Sequence, residues 1–101
     1  MSTELALVEG LADQVVGTPK AESNFVGGTN YRAFFKNGYG FSVLEGGIAY
    51  GGRELAVLKG NETEWSLDYT TPITDDVVGY LDLEQAAKLI ADIAALPSSV
   101  E

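Results

Sequence analysis

"NYRAFFKNGYGFSVLE", residues 30–45, decides the fold. Tyr31, Ala33 and Phe35 alternate with Arg32, Phe34 and Lys36, the period-two pattern of a strand with two different faces. Asn37-Gly38 follows. Both residues tolerate positive φ, so the pair predicts a two-residue type I′ hairpin turn. "GFSVLE" then returns antiparallel, with Phe41 and Val43 sharing a face. An antiparallel hairpin is therefore expected at the centre of the chain.

Downstream, "LEGGIAYGGRE" (44–54) holds glycines at 46, 47, 51 and 52 and reads as a wide connection or bulge between strands, with Tyr50 exposed at its tip. "RELAVLK" is the next strand, with a continuous apolar run at 55–58, and "GNE" at 60–62 is a tight turn. "TEWSLDY" alternates: Trp65, Leu67 and Tyr69 on one side, Glu64, Ser66 and Asp68 on a wet one. Trp65, Phe34 and Phe41 are read as core. After Pro72, Asp82 with Gln85 three residues on makes a capping-box pattern, and a helix over 83–96 carries an apolar stripe before Pro97. Glu84 and Lys88 stand in the favourable i, i+4 order.

Upstream, residues 3–16 follow helical spacing through Leu5, Val8, Ala12, Val15 and Val16, with Gly10 against a helix and a strand over 4–8 as the competitor. Residues 17–24 read as a linker. The expected architecture is a single α+β domain over 1–101. It comprises an N-terminal extension and linker (1–24), an antiparallel meander of about four strands (25–70), an acidic loop (71–82) and a C-terminal helix (83–96) packed on one face of the sheet. The N-terminal segment adds a second helix or an edge strand.

Composition narrows the chemistry. The chain of 101 residues is 46% apolar and has neither cysteine nor histidine. Disulfides, thiolate nucleophiles, Cys/His zinc sites and Ser–His–Asp relays are excluded. The expectation is a non-enzyme with no cofactor and no metal. Fifteen acids against six bases give a net charge of −9, which disfavours direct contact with nucleic-acid phosphates or an anionic membrane surface. The start of the chain shows no basic and apolar leader, so the expected compartment is the cytoplasm.

Two patterns invite a site. Gly47 to Glu54 reads G-x-x-x-x-G-R-E, a near miss to the phosphate loop G-x-x-x-x-G-K-[ST]; a carboxylate replaces the hydroxyl, and a strand follows where a helix is needed. Residues 61–87 hold seven acids and no Lys or Arg. Those acids read either as a solvated face or as a nucleic-acid mimic that offers carboxylates to a basic groove. Asp75-Asp76 with Asp68 or Asp82 lacks the spacing of a calcium loop.

The pieces Asn37–Val43, Tyr50–Gly52, Glu54–Leu58 and Thr71–Leu81 ("TPITDDVVGYL") also have a resemblance. They resemble small bacteriophage-encoded proteins that carry NGYG-x-SV, YGG, ELAVL and TPITDDV-[IV]-G-[WY]-L in that order. The similarity spans residues 29–96 and marks a family whose members carry no assigned activity. It implies a phage or prophage accessory protein in a bacterial cytoplasm that binds a host protein. Anti-CRISPR proteins, several of which present acidic surfaces, are one such class. On that implication the partner is a host nucleic-acid-handling complex with a basic surface, such as a CRISPR effector. The contact residues are then Glu62, Glu64, Asp68, Asp75, Asp76 and Tyr50. The alternative is an assembly protein that pairs through a strand edge or the helix.

Overall fold

The computed structural model describes residues 7–8, 10–23, 28–45, 53–68 and 78–97. These form strands β1 (Val15–Ser23), β2 (Thr29–Phe35), β3 (Tyr39–Glu45), β4 (Arg53–Gly60), β5 (Trp65–Leu67) and β6 (Val78–Leu81), followed by helix α1 (Leu83–Ala94). All pairings are antiparallel, in the order β1-β2-β3-β4-β5, with β6 also on β4. The α+β class holds, and among the described residues the sheet has six strands rather than about four.

β5 and β6 share one side of β4. β5 pairs with Leu58–Gly60 and β6 pairs near Arg53 and Leu55, so together they occupy one strand position interrupted by residues 68–77. Residues 78–81 of the expected acidic loop are therefore a strand; the rest of that loop, 69–77, lies outside the described residues.

The N-terminal expectation needs correction. No helix runs through residue 16. Gly10 has φ 81°, a left-handed conformation that ends helical geometry, and turns close from Leu11 N–H to Val8 O and from Gln14 N–H to Leu11 O; residues 3–6 and 9 of the expected helix lie outside the described residues. From Val15 the chain is already in β1, so the segment expected as a linker pairs with β2. The register shifts between Val16 and Lys20, where Gly17 (φ 73°) and Pro19 stand. A residue without an N–H is tolerated in such a bulge on an edge strand. Leu7 and Val8 are buried in the main core.

The central hairpin forms, with a turn one residue longer than the type I′ expectation. Gly38 N–H donates to Phe35 O, and Phe34 faces Gly40, leaving Lys36, Asn37 and Gly38 as a three-residue loop. Gly38, at φ 85°, supplies the left-handed residue that such loops require.

The two faces of the sheet follow from register. Ala33, Phe41 and Val57 align across β2–β4, as do Val43 and Leu55, and this face buries against Ala86, Ile90, Ile93 and Ala94 of α1. The 55–58 run is apolar throughout because both faces of β4 are covered. On the opposite face one row crosses the sheet: Val16, Phe34, Gly40, Leu58, Leu67. A Cβ at Gly40 would lie 2.6 Å from the Phe34 ring; the absent side chain is what lets that ring settle on the sheet. Phe34 and Phe41 are both buried, on opposite faces.

The helix begins as read. Asp82 Oδ1 accepts from Gln85 N–H at 2.7 Å, and Gln85 Oε1 accepts from Asp82 N–H at 2.9 Å. It ends at Ala94, before Pro97. Lys88 pairs at 3.8 Å with Asp92, not with Glu84.

Candidate functional site

The β4–β5 turn carries Glu62 and Glu64, two of the three sequence-predicted acids that the structure describes, and Asn61 organises it. Its Oδ1 accepts from Thr63 N–H (3.0 Å), Glu64 N–H (3.1 Å) and the Thr63 hydroxyl (2.7 Å), while its own N–H donates to Glu64 O. An asparagine side chain mimicking a turn in this way rigidifies the loop without outside support.

The turn then parts its acids. Glu64 is exposed at its end. Glu62 is half-buried, with its carboxylate lying against Gly17 of β1 in space that any larger residue at 17 would occupy. Asp68, expected on a wet face, is buried at 8% exposure, and its N–H donates to Val57 O. This corrects its assignment as a surface contact: the alternating faces are the reverse of those expected, with Leu67 turned to the exposed side and Asp68 to the covered one. Tyr50, Asp75 and Asp76 lie outside the described residues.

Trp65 and Leu67, expected in the core, are 41% and 48% exposed. They sit on the face away from the helix. The Arg32 guanidinium lies 4.9 Å from the Trp65 ring centroid, spanning the row that contains Phe34 and Leu58. Arg32 also pairs with Glu22 at 3.1 Å and donates to Asn30 Oδ1, and Asn30 Nδ2 donates to Ser42 Oγ at 2.8 Å. The only tryptophan of the chain is thus held by a cation anchored in a polar network. Sequence alternation missed its exposure; the signal was a tryptophan between Glu64 and Ser66 directly after a turn.

At the other end of β4, Arg53 Nη2 lies 3.1 Å from Glu45 Oε1, which closes the base of the glycine-rich segment 46–52, itself outside the described residues. Arg53 opens a strand and is committed to a carboxylate. The helix that a phosphate loop requires is not there.

Among the described residues no group of three or more acids is placed to hold a metal ion, and no helix is long and apolar enough to cross a membrane. The arrangement offers recognition: an exposed aromatic, an adjacent carboxylate and a turn that holds both. No family model, no curated protein and no solved structure matches the chain.

Proposed function

We propose that the chain is a non-enzymatic phage accessory protein that inhibits a host nucleic-acid-handling complex, of the CRISPR-effector kind, by occupying its basic surface. The observation that carries the reading is Glu64 beside Trp65 on the Asn61-organised turn, both exposed. A tryptophan held in place is a good interface anchor, and a neighbouring carboxylate steers it toward a basic partner. Both arginines are engaged within the chain, by Glu22 and Glu45, which leaves fewer cations to oppose such a partner. Tyr50, Glu62, Asp75 and Asp76 are the further contacts; Asp68 is not among them. Function takes place in the bacterial cytoplasm on this reading.

The test is capture of a purified CRISPR effector by the tagged protein at rising salt, with the effector's DNA cleavage as readout. Inhibition that weakens with salt and is lost in E64K/D75K/D76K supports the proposal. Unchanged inhibition in that variant, or none by the wild-type protein across effector types, overturns it.

A second reading, assembly through a sheet edge, draws on the pairing of β1 and β5 with one neighbour each among the described residues. Self-association would strengthen with salt, since screening relieves repulsion between copies of charge −9. That sign is opposite to the one expected for a basic partner.

A further inference from the structure

We infer that the recess at the turn end of the sheet is a binding site for a small organic anion, a phosphate or carboxylate carried on an apolar body. The recess has a volume of about 380 Å³ and is lined by Val16, Phe35, Lys36, Gly38, Lys59, Gly60 and Asn61. That size falls within the range of small-molecule sites, and the place is where the β2–β3 loop, the β4–β5 turn and the start of β1 converge.

The charge argument is the stronger one. Carboxylates outnumber bases by fifteen to six, and Arg32, Arg53 and Lys88 each have a carboxylate partner. Lys20, Lys36 and Lys59 have none among the described residues, and two of these three line one recess. In so acidic a chain, two lysines without a carboxylate partner lining one recess make a local reversal of potential.

The hydrogen-bond inventory points the same way. The main-chain N–H groups of Lys36, Gly38, Gly60 and Asn61 are already used, by Gln14 O, Phe35 O, Gly38 O and Glu64 O respectively. Asn61 Oδ1 is consumed within its turn. The lining side chains left to meet a ligand are therefore donors only: two ammonium groups and the Asn61 Nδ2. Such a set selects an anion, and Val16, 41% exposed, gives the apolar body a surface to lie on.

The inference is independent of the partner reading and is tested by amide chemical shifts. Phenyl phosphate, benzoate and the neutral benzyl alcohol are each titrated into the full chain. Saturable shifts at Gly38, Gly60 and Asn61 with either anion, and none with the alcohol, are expected; which anion binds names the headgroup. Lys36→Met with Lys59→Met keeps the apolar stems of two exposed residues and should weaken binding about tenfold or more. Lys20→Met should leave it unchanged. No saturable shift with either anion, equal shifts with the alcohol, or equal loss in Lys20→Met would overturn the assignment.

Discussion

Asn37 Nδ2 donates to Ile93 O at 2.8 Å, joining the loop of the central hairpin to the last turn of the helix 56 residues later. The same nitrogen reaches Ala94 O at 3.2 Å and Leu96 O at 3.1 Å, and Asn37 Oδ1 accepts from Tyr39 N–H at 3.0 Å. One side chain thus shapes the loop and satisfies helix carbonyls that lack intrahelical donors. Asn37→Ala should cost about 1–3 kcal/mol. Asn37→Asp should cost more, because it places a negative charge at a helix C-terminus. Urea unfolding of the two variants measures the order, and equal losses would show that the loop side of the contact dominates.

Gly40→Ala should be destabilising by about 1–3 kcal/mol through overpacking, since the new methyl meets the Phe34 ring and the main chain of Ala33. Pairing it with Phe34→Ala should recover part of the loss. A double-mutant cycle in thermal or urea unfolding reads the coupling, and strict additivity would mean that the clash is with the Ala33 carbonyl alone.

Glu64 and Asp68 flank β5, four positions apart in sequence, and should behave as opposites. Glu64→Lys, at an exposed position, should alter stability by no more than about 0.5 kcal/mol. Asp68→Lys buries a cation beneath β4's edge and should cost about 3 kcal/mol or more. The pair separates loss of binding from loss of fold in any charge-reversal experiment, with melting temperature as the readout.

Trp65 is the sole tryptophan, so its fluorescence reports the contact with Arg32 directly. Arg32→Gln should shift emission to longer wavelength as the ring loses its cover, while costing only about 1 kcal/mol for a half-exposed cation–π contact. An unchanged spectrum would show that Trp65 is held by β5 without the guanidinium.

The elements legible in the sequence were those written in local pattern. The hairpin of β2 and β3 follows from two-residue alternation around a glycine that takes positive φ. The helix start follows from Asp82 and Gln85, which bond each other within a single turn and need no distant partner. The 55–58 apolar run read as a strand, and the structure buries all four of its residues. Glu64, expected on the wet face of a strand, is exposed, but at the end of the turn before β5.

Other features had no local signature. Residues 15–23 are a strand because β2 offers an edge for them, although helical spacing runs through Val15 and Val16; pairing across the sheet outweighs a weak propensity already broken at Gly10. Trp65 is exposed and Asp68 buried because the pairing of Leu67 with Leu58 turns Trp65 and Leu67 to the face away from the helix and leaves Asp68 on the other side, beside Val57; alternation shows two faces but not which of them is covered. The meeting of Lys36 with Lys59 in one recess depends on strand order alone. Composition and short-range spacing thus settle the fold class, the absence of thiol and imidazole chemistry, and the acidic balance. Which charges stay free, which aromatic faces solvent and what the hairpin loop grips are decided by packing between segments far apart in the chain, where the energy lies in contacts that no local pattern records.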